Sequence, residues 1–224
     1  SRYSLILNVG NSNPVAIYGG YHFAAIDSEG GIIIIPGLIW NDPNKLLESQ
    51  HLPNGEKAVS IAYGNEFFAL SSKGKLFMSK DFENPVLTCK LVKKLEKHKI
   101  VQISAYDYSY LFLTEEGRVF AYGSNSYGHL CSKQYYVNFK ECLTLRPYNI
   151  KGIYIGWSYS LFQTSNGQII ACGSNKGKLC LVDDEVKEYH HPVETIVKKD
   201  AVFCVAGDDS IVVFGEDAEM SPNR

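Results

Sequence analysis

Neither sign of charge is in excess in this chain. The 224 residues carry 22 Lys and Arg against 24 Asp and Glu, a formal net charge of −2. Phosphate binding needs a concentrated basic surface, so nucleic acid is not an expected partner. The one basic cluster (Lys90, Lys93, Lys94, Lys97, His98 and Lys99) lies between two repeats and reads as a solvated connector. Long apolar runs are also missing. The longest, from Ile32 to Trp40, is broken by Pro36 and Gly37 and is too short to span a bilayer. No signal-peptide pattern is visible. The six cysteines, at 89, 131, 142, 172, 180 and 204, form no CxxC pair and no regular framework. Several fall in expected strands, where a free thiol packs as a small hydrophobe, and this suggests a reducing compartment, the cytoplasm or nucleus.

Catalytic patterns are scarce. The glycines lie in hairpin turns, and no Gly-rich phosphate loop precedes a helix. No His or Cys set has metal-ligand spacing, and His190-His191 reads as a solvated pair. Asp208 and Asp209 are adjacent in an extended segment, so their side chains point to opposite sides and make no metal site. No local nucleophile motif is present. The expectation is a protein that is not an enzyme and has no cofactor, metal or catalytic residues.

What the chain does have is a repeat. Five segments align on anchors at Gly19, Tyr63, Tyr106, Gly156 and Gly207, spaced 44, 43, 50 and 51 residues apart. Eleven residues after each of the first four comes a glycine: Gly30, Gly74, Gly117 and Gly167. Within the third repeat, Val101, Ile103 and Ala105 alternate with polar residues as in a half-buried strand. A bend at 106–108 leads to a second strand to Leu113, a tight turn at Thr114–Gly117, and a third strand from Arg118 to Tyr122. Fourth strands are expected in the connectors near 86–92, 136–146 and 192–197.

Repeats of this length made of short strands predict an all-β fold, a β-propeller of antiparallel blades. Five blades fit, with repeats near 14–56, 57–98, 99–148 and 149–198. The last repeat, 200–218, is completed by an N-terminal strand at 4–12, which closes the ring into a single domain over 1–224. A monomeric ring is expected, and the ends at Ser1 and Arg224 are compatible with one module of a longer protein.

The stretch VQISAYDYSYLFLTEEGRVFAYGSNSYGHL resembles a repeat of the regulator of chromosome condensation family through Leu113, Thr114, Gly117, Val119, Gly123, Asn125, Gly128 and Leu130. The segment IYIGWSYSLFQTSNGQIIACGSNKGKL matches through Gly156, Thr164, Gly167, Ile169, Gly173, Asn175, Gly177 and Leu179. The first, second and fifth repeats are degenerate, and only the first keeps the family's histidine three after the anchor, as His22. The resemblance implies a propeller. It also implies guanine-nucleotide exchange on a small Ras-like GTPase, as an alternative to a non-catalytic module that binds a protein partner.

The bends after the anchors are the candidate partner-binding face. They supply Tyr21, His22, Glu66, Asp107, Tyr108, Trp157, Tyr159, Asp208 and Asp209, a mixture of acids and aromatics. Tyr and Trp bury a large rigid area while keeping a polar handle, which favours them in interaction surfaces. The alternative is that these aromatics plug the end of the channel.

Overall fold

Strands of two to seven residues, most of them hydrophobic and joined by glycine turns, form five antiparallel sheets among the described residues of this computed structural model. Those residues are 14–18, 23–35, 47–81, 85–178, 180, 182, 185–199, 201–206 and 211–215. The N-terminal closing strand at 4–12 and the bends with Tyr21, His22, Asp208 and Asp209 lie outside them. The chain divides into two compact units, Ser1–Ile100 and Val101–Arg224.

In the first unit, β1 (Pro14–Tyr18), β2 (Phe23–Asp27) and β3 (Ile32–Ile35) form one sheet. A second sheet holds β4 (Ala58–Tyr63), β5 (Phe67–Ser71), β6 (Leu76–Ser79) and the short β7 (Lys90–Leu91). Ile26, Ile32, Ile61, Phe67 and Phe77 meet in the core of this unit. The basic connector supplies β7 and a 3-10 turn at Lys93–Leu95, with Leu95 buried and Lys90, Lys93, Lys94, Lys97 and Lys99 exposed.

The second unit continues the pattern. The strand β8 (Ile100–Tyr106) begins a sheet with β9 (Ser109–Thr114), β10 (Val119–Ser124) and β11 (Tyr136–Glu141). The next sheet runs β12 (Ile150–Ile155), β13 (Tyr159–Thr164), β14 (Ile169–Ser174) and β15 (Glu188–Glu194). The pair β16 (Ala201–Ala206) and β17 (Ile211–Gly215) follows. Fourth strands therefore come from the connectors, as their residual hydrophobicity suggests.

The same turn joins the middle strands in four sheets. Gly30, Gly74, Gly117 and Gly167 all sit at φ of 77–78°, the left-handed region that glycine enters without steric cost. Three residues upstream stands Asp27, Ser71, Thr114 or Thr164, and its side-chain oxygen accepts the backbone N–H four residues on. These bonds measure 2.8, 3.2, 3.1 and 3.0 Å, so a carboxylate and three hydroxyls do one job. Asp27 does most, since it also accepts from the Ser49 hydroxyl at 2.5 Å and from the Glu29 N–H. Burial pushes its carboxyl pKa up, but these hydrogen bonds outweigh that and hold it below the usual carboxylate value.

One expectation of the strand pattern needs correction. Val101 is exposed, and the buried residues of β8 are Ile100 and Ile103, three apart instead of two. The same spacing recurs at Ala58 and Ile61 of β4 and at Ile150 and Ile153 of β12. The cause is a bulge after the first residue, seen as register shifts at Ala58/Ser60 and Ile150/Gly152. An extra residue on one strand reverses the inward and outward alternation beyond it.

Two cysteines also depart from expectation. Cys131 and Cys172 form a disulfide, with Cα atoms 5.7 Å apart, inside the core of the second unit. Spacing in sequence gave no sign of it, because a loop after β10 meets the middle of β14. Cys89, Cys142 and Cys180 are free and buried. Burial raises the Cys89 thiol pKa to about 11 and that of Cys142 to about 12, so neither thiol is a nucleophile at neutral pH.

Gly123 and Gly173, at φ of 106° and 107°, are the glycines packed most closely on neighbouring backbone among the described residues. A Cβ on Gly123 would stand 1.9 Å from the Tyr108 carbonyl oxygen, and one on Gly173 would stand 2.4 Å from that of Ser158. Gly55 also has positive φ but meets nothing within 4 Å. Gly123→Ala and Gly173→Ala should each lose about 3 kcal/mol or more in urea denaturation. Gly55→Ala should lose only the backbone contribution, about 1 kcal/mol. Equal losses at all three would show that backbone angle, and not close approach, sets the requirement.

Candidate functional site

In the two four-stranded sheets of the second unit, the bends between the first two strands are fixed from behind. Ser124 N–H donates to the Tyr108 carbonyl at 2.9 Å, and Ser174 N–H donates to the Ser158 carbonyl at 2.8 Å. Gly123 and Gly173 permit that approach. With their carbonyls held against the sheet, the bends turn Tyr108 and Trp157 outward, and these side chains are 50% and 48% exposed. Asp107, the first residue after the anchor, has φ of 50°. Asp adopts this conformation more readily than a branched residue does.

The loop after β10 supplies the other wall. Asn125 organises it: the side-chain amide donates to the Ser132 and Gln134 carbonyls at 2.7 and 2.8 Å, and Oδ1 accepts the Leu130 N–H at 2.7 Å. Asn175 does the same work after β14, donating to Val182 and Val186 and accepting from Cys180 at 3.3 Å. That hydrogen bond corrects the motif alignment. The counterpart of Leu130 is Cys180, not Leu179, and Lys178 at φ of 63° takes the place of Gly128 at 71° in place of Gly177.

Tyr127 leaves this loop and packs on Trp157, with ring centroids 5.5 Å apart and planes at 58°. Together with Asp107, Tyr108 and the buried Ser109 and His129 they line a cleft of about 250 Å³. The structure thus brings three of the expected residues, Asp107, Tyr108 and Trp157, to one place within the second unit. It places two others elsewhere. Tyr159 is fully buried in the core against Leu161 and Ile169, and Glu66 is buried in the first unit. Both stand three residues after their anchors, as Ser109 does, and all three described residues at that position point inward. Tyr159 and Glu66 are therefore corrected from partner-facing to interior residues. Tyr21, His22, Asp208 and Asp209 lie outside the described residues.

His190 and His191, expected as a solvated pair, separate in β15. His191 is exposed, whereas His190 packs on Gly128, where a Cβ would stand 2.4 Å from its Nδ1. Its Nε2 lies 3.3 Å from the Glu188 carboxylate. Strand alternation divides the two neighbours between faces. Among the described residues no group of three His, Cys, Asp or Glu could hold a metal ion, and no helix is long and apolar enough to cross a membrane.

Comparison with known proteins agrees with this geometry. A model of the regulator of chromosome condensation (RCC1) repeat matches residues 100–128, so the chain carries a repeat of that family. No curated protein matches the chain significantly in sequence. Human WBSCR16 is similar in structure, with a TM-score of 0.73 and 14% identity over 94% of this chain and 60% of that one. Yeast RCC1 (Prp20) bound to Kap60 also gives 0.73, at 20% identity over 91% and 54%. Prp20p from Saccharomyces cerevisiae, described with its binding properties to Gsp1p and histones, gives 0.70 at 22% identity over 89% and 54%. The chain thus spans between half and two thirds of the length of these structures. Likeness at such identities establishes the fold: all-β, of the β-propeller type.

The polar residue that sequence reasoning missed is His129, two residues before the Cys131 disulfide and 2% exposed. Its Nε2 lies 2.8 Å from the Ser109 hydroxyl. That hydroxyl donates to the Ser124 carbonyl at 2.7 Å, so its single hydrogen is engaged and Nε2–H must be the donor to Ser109. The pair is therefore no nucleophile and base: the hydroxyl's proton points away from the imidazole. The one available signal was a polar residue between the motif's Gly128 and Leu130. Burial pushes the His129 pKa down to about 4, from 6.5. The imidazole stays neutral when folded and takes a proton when unfolded, so stability is full above pH 6.5 and falls as pH drops toward 4. The loss should reach about 3 kcal/mol over that window. In His129→Gln, which can still donate to Ser109, urea midpoints between pH 7 and 5 should flatten. An unchanged slope would assign the effect to other groups.

Proposed function

On a propeller fold that carries a regulator of chromosome condensation repeat, we propose a non-catalytic interaction module that binds a protein partner through the bends after the anchors. The observation that carries this is the cluster of Tyr108, Trp157 and Tyr127 around Asp107. Two large aromatics half in water, held by a backbone that is itself hydrogen-bonded to the sheet, are costly for solubility and suited to a hot spot. Their rigid backbone limits the ordering that binding requires. The reading treats residues 1–224 as one propeller domain that acts as a monomer in the cytoplasm or nucleus. It can serve as a module within a longer protein.

A second reading is guanine-nucleotide exchange on a small Ras-like GTPase, or regulation of that exchange. It is favoured by the structural likeness to Prp20p, described with its binding to Gsp1p. Fold likeness does not transfer function by itself, so the bends must be tested directly.

A triple variant, Asp107→Asn, Tyr108→Ala and Trp157→Ala, removes the cluster while leaving the backbone bonds of the bends in place. Affinity capture from lysate, with wild type and variant compared by mass spectrometry, should show at least one partner lost from the folded variant. Undiminished capture of every wild-type partner would reject this face. Nucleotide release from a panel of Ras-like GTPases separates the second reading, which fails if no member is accelerated.

A further inference from the structure

Within the cleft, the carboxylate of Asp107 is anomalous. Its Oδ1 is buried and has no hydrogen-bond partner, and no ion pair reaches it among the described residues. Burial without a compensating donor raises its pKa. Asp107 is only partly buried, but a carboxylate oxygen taken from water with nothing in exchange is costly and calls for a reason. The surrounding residues offer no donor of opposite charge, since neither Lys nor Arg lines the cleft. The imidazole of His129 is neutral, and its buried Nδ1 is a second acceptor without a partner. Ser109 has already committed its proton to Ser124. The cleft is thus lined by a lone negative charge, acceptor atoms, the mutually bonded hydroxyls of Ser124 and Ser126, and the rings of Tyr108, Tyr127 and Trp157.

We propose that this cleft receives a cationic side chain, the guanidinium or ammonium of an arginine or lysine in a basic segment of a partner protein, paired with Asp107 and lying against Trp157 and Tyr127. Charge complementarity selects the cation, because an anion would meet Asp107 with no counter-charge. Aromatic faces attract cations through the ring quadrupole, most strongly at tryptophan. Size selects a single side chain: about 250 Å³ is below the ~300–1,000 Å³ of small-molecule sites, too small for a nucleotide or cofactor. The proposal rests on the partner-facing reading of the bends and names the chemistry that they recognise.

The test uses four capped peptides, Gly-Xaa-Gly with arginine, lysine, citrulline or glutamate at the centre, titrated into the isotope-labelled full chain. The indole N–H resonance of Trp157 reports binding, assigned through its loss in Trp157→Phe. The arginine or lysine peptide should shift it saturably, and affinity should weaken as salt is raised. Citrulline and glutamate peptides should bind at least about tenfold more weakly, and Asp107→Asn should remove the preference for the cation. Preference for arginine or for lysine identifies which cation is read, and either supports the proposal. Equal binding of arginine and citrulline, a response indifferent to salt, or full cation preference in Asp107→Asn would overturn it. Salt dependence needs no variant and so stands even if Asp107→Asn does not fold. If lysate capture depends on the bends while the peptides fail, the interaction surface stands and the cationic ligand falls.

Discussion

The left-handed glycine of the hairpin turn is the constraint on which the remaining architecture depends. Its carbonyl does not face water. Gly30 accepts from Ala58 at 2.8 Å, Gly74 from Ile100 at 2.9 Å and Gly167 from Ala201 at 3.0 Å, so the turn of one repeat receives the residue that opens the next. A side chain at these turns would meet that segment: a Cβ on Gly30 would come 2.6 Å from the Lys57 Cβ, and one on Gly74 would come 2.5 Å from the Lys99 Cγ. Positive φ and close approach act on the same residue, which is why only glycine satisfies it. A hairpin that also joins neighbouring segments lets short strands, each unable to bury two faces alone, build a repeat architecture.

Polar side chains extend this join within the second unit. Gln102 pairs with both the N–H and the carbonyl of Ile153, at 3.0 and 2.8 Å, and Ser104 accepts from Ile155 at 3.2 Å. A glutamine side chain presents the same donor and acceptor as a peptide group, so it extends hydrogen bonding where two sheets are too far apart for backbone pairing. Gln163 repeats the device with the carbonyl of Ala201. In sequence, Gln102 and Ser104 read as the solvent-facing positions of an amphipathic strand.

Glycine spacing, turn residues and the hydrophobic runs between them made the repeat and its strands legible, because each depends on a local conformation. The bulge after the first residue of β4 and β12 did not show, since it is a property of pairing between strands, and the same three-residue spacing of buried positions in β8 puts Ile100, not Val101, inside with Ile103. The Cys131–Cys172 bond was invisible for a related reason: it joins segments brought together only by sheet packing. In the candidate site, the bend positions could be read but not their directions. Asp107, Tyr108 and Trp157, at the first or second position after the anchor, line the cleft, whereas the third position, as in Glu66, Ser109 and Tyr159, is buried. Residue chemistry had placed all of them together; the backbone sorts them by position.

This sorting gives a reason to regard Asp107 as functional instead of structural. Two buried carboxylates elsewhere carry compensation: Asp27 from Ser49 and two backbone N–H groups, and Glu56 through Oε1 from Lys75 at 3.3 Å and Lys73 at 3.8 Å, although its Oε2 is buried without a hydrogen-bond partner. Both have depressed pKa values, because hydrogen bonds and nearby ammonium groups overcome a burial cost that acts in the opposite direction. Asp107 shares the burial cost and lacks the compensation, so its pKa moves the other way. The fold gains nothing from that charge: a small polar residue tolerant of positive φ, such as asparagine, would hold the bend with less penalty. An uncompensated charge beside exposed aromatic rings is therefore explained by something that binds there, and its sign sets the sign of the ligand.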